Sequence, residues 1–419
     1  METGNIRINR QRLLDRIAEL AQIGVIEGGG VCRLALTDED KAGRDLVVSW
    51  MRELGLHVTI DQAGNVIAVR PDRQGRVDTP AIVTGSHIDT VGTGGRYDGA
   101  LGVLAGLEVI ECLNDADVET PCPMAVGFFT NEEGVRFQPD MMGSMVHQGH
   151  LPLDIMLGAS DRDSKIFHEE LTRIGYAGDV PVNSLKARAF VELHVEQGPI
   201  LEQEGIEIGA VEGVQGLSWR EYTFYGVSNH AGTTPMHLRN DAGYAASELA
   251  VFARKLALDM AGDQVVTTGT IILTPNLVNV VPKQAIVDLD IRNTDNDLLI
   301  EAENRLDEFA KAAAAREGLT ITIKPLARYD PTPFDPAVVD LVAASAEAFG
   351  QSVRRMPSGA GHDAQAFAPN CPTGMIFVPS VGGISHNVKE FTEDPHIEAG
   401  ANILLHTMLG LAGQSARPK

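Results

Sequence analysis

Seven side chains stand out by type and spacing: His87 and Asp89 in GSHIDT, Asp98 in GGRYDG, Glu132 and Glu133 in NEEGVRF, His194 in ELHVEQG, and His386 in GISHNVKE. Three imidazoles with several carboxylates and no thiolate make a nitrogen/oxygen ligand set. Such a set suits a divalent zinc, manganese, cobalt or nickel ion. Taken singly, each signal has a plainer reading. An isolated His-x-Asp is usually a hydrogen-bonded turn, adjacent glutamates are usually a solvated pair, His194 could be a satisfied core histidine, and His386 an exposed loop residue. Their surroundings shift the balance. Asp98 lies eleven residues after His87, and Gly94, Gly95 and Gly99 between and beside them let the backbone turn tightly and return a carboxylate towards the imidazole. Glu132 and Glu133 leave the apolar run MAVGFFT, and neighbouring side chains leaving a strand point in different directions. One can therefore bind a metal while the other faces a water, a division into ligand and general base.

The elements that must position these residues are short apolar strands. Residues 81–84 run straight into GSHIDT, 124–129 precede Glu132, 190–195 contain His194, and 374–378 lead to the glycine pair before His386. Helices are expected over 9–23, from Thr37 to before Gly55, and over 100–113, 335–349 and 396–412; further strands are expected near 57–60 and 65–70. Strands alternating with helices predict an α/β fold, a mixed, largely parallel sheet flanked by helices, with ligands at the strand C-termini. From Gly213 the texture changes. Residues 219–227 and 285–292 alternate as half-exposed strands, with helices near 240–259 and 296–317. The expected organisation is a discontinuous catalytic domain, 1–212 and 330–419, carrying an inserted α+β sandwich over 213–329.

Composition narrows the partners. The chain has 419 residues, 44% of them hydrophobic, enough for two or three domains. Its net charge of −23 is the wrong sign for general binding to nucleic acid, and an anionic substrate will need a local positive site. Four scattered cysteines, Cys32, Cys112, Cys122 and Cys371, form no CxxC pair and fit a reducing compartment. The start METGNIRINRQ lacks the basic and apolar regions of a secretion signal, and no run approaches the ~18 apolar residues of a membrane span. A cytoplasmic location without membrane attachment is expected.

Together these segments resemble the hydantoinase/carbamoylase amidases, a branch of the dinuclear metallo-aminoacylase and carboxypeptidase superfamily. The branch includes N-carbamoyl-L-amino-acid hydrolases, allantoate amidohydrolases and β-ureidopropionase-like enzymes. The motifs run from GGGVCRLALTDED to GISHNVKE, with GSHIDTV, GGRYDG, NEEGVRF, ELHVEQGPILE, SNHAGTTPM, NVVP, DIR and SGAGHDAQ between. The resemblance implies a site for two divalent ions, zinc, manganese, cobalt or nickel. His87, Asp98 and His194 would be ligands, Asp98 bridging, with Glu133 and His386 completing the second position. Asp89 would support His87 and fix its tautomer, and Glu132 would be the general base. In the insert, His230 would polarise the carbonyl and stabilise the oxyanion, while Asn279 and Arg292 would grip a substrate carboxylate. Gln197 resembles the amide-contacting residue of the first domain. The glycines of SGAGHD would bring backbone at Gly359 and Ala360 close to a ligand, with His362 left unassigned. The insert would also act as lid and pair two subunits in a homodimer. The implied reaction is hydrolysis of a linear amide or ureido bond in a small anionic substrate, first an N-carbamoyl-L-amino acid. Allantoate comes next, then N-acyl-L-amino acids. A metallodipeptidase and a non-catalytic scaffold are the readings from other classes, and no ligand position is substituted as a scaffold would predict.

Overall fold

The computed structural model describes residues 6–413. The chain divides into two compact units, one running up to Glu212 and resuming at Pro333, the other Gly213–Thr332.

The first unit is built on a nine-stranded mixed sheet. Its centre is four parallel strands in the spatial order Met124–Phe128, Ala81–Ser86, Ala187–Val195, Thr373–Val378. Antiparallel strands flank them, Val66–Arg70 and His57–Ile60 on one side and Ile208–Val214 on the other. Parallelism is thus confined to the middle. The central strands are buried along nearly their whole length, as helices on both faces require. Helix Ala100–Asp115 carries apolar residues all round because it packs on the sheet with one face and on helices Arg10–Leu20 and Asp394–Leu411 with the other.

The second unit is a four-stranded antiparallel sheet in the order Thr320–Tyr329, Gly216–Tyr225, Gln284–Asn293, Val265–Thr274. Helices Ala242–Met260 and Asn296–Arg316 pack on it through a core that includes Tyr222, Phe224, Leu249, Leu289, Leu299 and Leu306. Aspartates cap both helices, Asp241 accepting from the Tyr244 amide and Asp295 from those of Asp297 and Leu298. A separate two-stranded ribbon pairs Asn229–His230 with Val280–Val281.

Two of these four strands were absent from the sequence expectation, and both are edges. Val265–Thr274 has little to bury, so its alternation is lost in a run of exposed residues around Gly269. Thr320–Tyr329 contains Pro325 beside a break in register, and proline is tolerated because the strand pairs on one side only. Strands Ile208–Val214 and Val353–Ser358 of the first unit were also unforeseen.

Candidate metal centre

All four polar groups singled out at strand ends emerge at the same edge of the parallel sheet. His87 follows Ala81–Ser86, Glu132 and Glu133 follow Met124–Phe128, His194 is the penultimate residue of Ala187–Val195, and His386 lies in the loop after Thr373–Val378. Parallel neighbours point their C-termini the same way, so residues about 300 positions apart in sequence converge. Asp98 joins them from the turn before helix Ala100–Asp115. Gly99 there has φ +63°, and an added Cβ would overlap the His87 ring; the glycine makes both the turn and the room.

Asp98 is the centre of the cluster. Its Oδ1 lies 3.2 Å from His194 Nε2 and 3.6 Å from His87 Nε2, and its Oδ2 lies 3.3 Å from His386 Nε2. His386 Nε2 is also 3.4 Å from Glu133 Oε2, and His87 Nε2 is 3.4 Å from Glu132 Oε2. Two potential ligand triads result, each with donor atoms within 4.8 Å of one another: His87, Asp98 and His194, and Asp98, Glu133 and His386. Gln197 Nε2 donates to Asp98 Oδ2 at 3.0 Å.

Backbone carbonyls set the tautomers. His87 Nδ1 lies 2.8 Å from the Asp89 carbonyl and His194 Nδ1 lies 2.9 Å from that of Val195, which puts a proton on each Nδ1 and leaves each Nε2 directed at Asp98. The support that Asp89 gives His87 thus comes from its main chain. Its carboxylate instead accepts the amides of Glu132 and Glu133, at 3.4 and 3.3 Å, and ties the pair to the His87 loop. Asn131, Gln197 and His386 adopt left-handed backbone conformations at φ +62°, +57° and +52°. Non-glycine residues are held this way only where their surroundings impose it.

Charge in this cluster is out of balance. Burial, then the fields of Asp363 and Glu133, push the Glu132 carboxyl well above its usual range; burial, Asp98 and Asp89 do the same to Glu133. Burial raises Asp89 to about 7. His87 is pushed down to about 4 by burial, despite Asp98. For His194, burial opposes the charge, but its hydrogen bond to Asp98 and the fields of Asp98 and Glu192 win and raise it to about 9. Without cations, the closely spaced buried carboxylates of Glu132, Glu133 and Asp89 disfavour one another's ionised forms. Divalent cations in the triads would relieve that excess, and oxygen and neutral imidazole donors fit them chemically. A third group, Glu192, His194 and His362, is different. Glu192 accepts from Ser86 Oγ at 2.6 Å and from the Ala364 amide at 2.8 Å, and His362 Nε2 pairs with Ser358 Oγ at 2.9 Å. Protein partners already satisfy it.

The centre opens into a cavity of about 140 Å³ lined by the two triads together with Glu132, Asp140, Gln197, Ala360, Gly361 and His362. Gly359 is exposed and does not line it. His362, unassigned from sequence, stacks edge-on against His194 at 4.5 Å. Asp140, Asp363, Ser385 and Glu390 were not singled out from sequence, although the last three fall inside quoted motifs.

The remaining expected residues belong to the second unit. His230 lies on the two-stranded ribbon and Asn279 immediately precedes its second strand, where the Ala231 amide donates to the Asn279 carbonyl at 3.0 Å. His230 Nδ1 accepts the amides of Gly232 and Thr233 at 3.0 and 3.2 Å, so its proton resides on Nε2. Arg292 lies on Gln284–Asn293, its guanidinium held by Asp290 through Nε at 2.9 Å and Nη2 at 2.8 Å. Asp290, two residues earlier in VDLDIR, is thus the residue that orients Arg292.

Residues 83–410 match Peptidase family M20/M25/M40. The chain is similar to an N-carbamoyl-L-amino-acid amidohydrolase of Rhizobium meliloti, 40% identical over 97% of this chain and 98% of that one. It is 33% identical to an allantoate amidohydrolase of Escherichia coli K12, over 97% and 98%. Among solved structures it resembles an amidase of the hydantoinase/carbamoylase family from Burkholderia multivorans, with a TM-score of 0.95 and 46% identity, covering 99% of this chain and all of that one.

Proposed function

Since the chain belongs to the hydantoinase/carbamoylase amidases of Peptidase family M20/M25/M40, a hydrolase of carbon–nitrogen bonds other than peptide bonds, we propose that it cleaves N-carbamoyl-L-amino acids to the free amino acid, carbon dioxide and ammonia. The chain is a metal-dependent amidohydrolase, and the observation behind the detailed site reading is the pair of triads sharing Asp98. His87, Asp98 and His194 would hold one ion, and Asp98, Glu133 and His386 a second, with zinc or manganese first among the candidates. Such ions lower the pKa of a water and polarise a carbonyl.

Glu132 is the general base. Its amide is fixed by Asp89, and its carboxylate is in the cavity beside the ligands without belonging to either triad. It takes a proton from the attacking water as the ureido carbon becomes tetrahedral. The bond to the amino-acid nitrogen then breaks as Glu132 returns the proton to that nitrogen, and carbamate falls to carbon dioxide and ammonia. His230 is assigned the developing oxyanion; a ring protonated on Nε2 can donate there while neutral. Arg292, its fork oriented by Asp290, and Asn279 are assigned the substrate carboxylate, and Gln197 and the backbone at Gly359 and Ala360 further substrate contacts.

The carbamoyl reading is favoured over allantoate by the higher identity to the carbamoyl enzyme, 40% against 33%. We also propose that the second unit pairs in a homodimer. Its helix Ala242–Met260 and edge strand Val265–Thr274 border a concavity of about 890 Å³ and expose Val251, Leu258, Ile271 and Ile272. Among the described residues no helix is long and apolar enough to cross a membrane.

The test is ammonia and amino-acid release by protein stripped of metal and reloaded with manganese or zinc. N-carbamoyl-L-methionine, its D-isomer, allantoate, N-acetyl-L-methionine and a dipeptide would be compared. Metal-dependent turnover of the L-carbamoyl compound is expected. Preference for allantoate would keep the site and replace the substrate.

A further inference from the structure

Glu390 is 5% exposed and does not line the cavity, yet it touches two of the three loops that supply the second triad, those of Asp98 and His386. Its Oε1 accepts the amides of Tyr97 and Asp98, each at 3.1 Å, and so grips the main chain at the shared aspartate. Its Oε2 accepts from Ser385 Oγ at 3.1 Å, one residue before His386; the same hydroxyl lies 3.3 Å from Asp98 Oδ2. Around this carboxylate the loops interlock. Thr93 Oγ1 donates to the His386 carbonyl at 3.3 Å, and Tyr97 packs edge-on against Phe391 at 6.2 Å. A Cβ on Gly95 would collide with the Glu390 side chain, and one on Gly30 with Val388, so glycines clear the seat on the other side.

The need for such a fastening follows from how the ligands are held. His87 and His194 come directly from strands of the sheet and have carbonyls fixing their rings. His386 has neither support. It lies eight residues beyond the end of its strand, in a left-handed conformation, with its side chain 52% exposed. A φ of +52° is disfavoured for a non-glycine residue, so the loop needs contacts that impose it.

We propose that Glu390 is a positioning residue for the second ion: by clasping the Asp98 turn to the His386 loop it assembles the Asp98–Glu133–His386 triad, while His87 and His194 are held by the sheet. This rests on the two-ion reading above. One carboxylate satisfies three donors on two loops, which no neutral side chain of that length can do. Glu390→Gln can keep the two amides on its carbonyl oxygen but turns a donor towards Ser385. Glu390→Ala loses all three bonds.

Cobalt(II) titration of the metal-free protein, followed by calorimetry and visible absorption, separates the positions without relying on turnover. Wild type is expected to bind two ions. Glu390→Gln should weaken the second by about tenfold and Glu390→Ala by about a hundredfold, as for charge-assisted hydrogen bonds of ~1.4–3 kcal/mol, with the first within about twofold of wild type. Ser385→Ala should resemble Glu390→Gln. Equal weakening of both ions, or two ions bound with wild-type affinity in Glu390→Ala, would overturn the proposal. Should Glu390→Ala not fold, the Gln and Ser385 variants decide it alone. Wild-type protein binding fewer than two ions would instead strike at the two-ion reading.

Discussion

His87 and His194 are each 1% exposed and fastened through ring nitrogens to carbonyls, whereas His230, on the ribbon of the second unit, is exposed and fastened by two amides of its own turn. Arg292 likewise takes its orientation from a neighbour on the same strand. In the first unit, polar groups are buried among carboxylates brought from distant parts of the chain. In the second, they are oriented locally and remain open to solvent. The lesson is a division of risk. Removing a charge from the buried cluster changes the balance of the whole cluster, while removing one from the second unit deletes a single interaction and leaves the fold nearly as it was.

That contrast can be broken by substitution. The largest effect is expected from Glu132→Gln, which removes the base while keeping the side-chain shape. Turnover should fall by about 10³, within the range of general-base catalysis, with metal content measured by elemental analysis unchanged. Near-normal kcat in this variant would take Glu132 out of the mechanism. His230→Ala should lower kcat by about 10² to 10³, the loss typical of one oxyanion donor. Metal content and melting temperature should both hold, because the side chain is exposed; loss of metal would contradict the division between units.

A smaller change is expected for Arg292→Lys. A single ammonium cannot reproduce the planar fork, so KM should rise about tenfold with kcat within about threefold. If kcat alone falls, Arg292 serves the reaction in some way other than ground-state binding. Leu258→Asp, at a position 72% exposed, should leave folding within about 0.5 kcal/mol yet shift light-scattering mass from dimer to monomer. An unchanged dimer would move the interface elsewhere.

The strand ends of the first unit were legible because buried parallel strands are continuous apolar runs, and a polar residue directly after one is conspicuous. MAVGFFT followed by Asn131, Glu132 and Glu133 is such a case. The edge strands of the second unit were not legible, since an edge has little burial to impose a pattern on its residues. Within the site, side-chain types pointed to the metal chemistry, but partner assignments could not be read along the chain. That the Asp89 carboxylate serves Glu132 and Glu133 depends on strands 81–86 and 124–128 being neighbours. Glu390 was passed over for the same reason. Its meaning lies in the Tyr97 and Asp98 amides, which sit nearly 300 residues earlier.

The convergence of residues 87, 98, 132, 133, 194 and 386 at one sheet edge also sets an order of assembly during synthesis. Each parallel neighbour is delivered by a long crossover, and the last, Thr373–Val378, pairs with Ala187–Val195 only after some 180 intervening residues have been made. Contacts of that sequence separation form late, and amino-terminal portions are first to leave the ribosome. A nascent chain can thus present His87, Asp98 and His194 well before His386 exists. On the two-ion reading proposed above, complete metal loading would record that translation has passed the carboxy-terminal strand, since a chain cut short before it lacks His386.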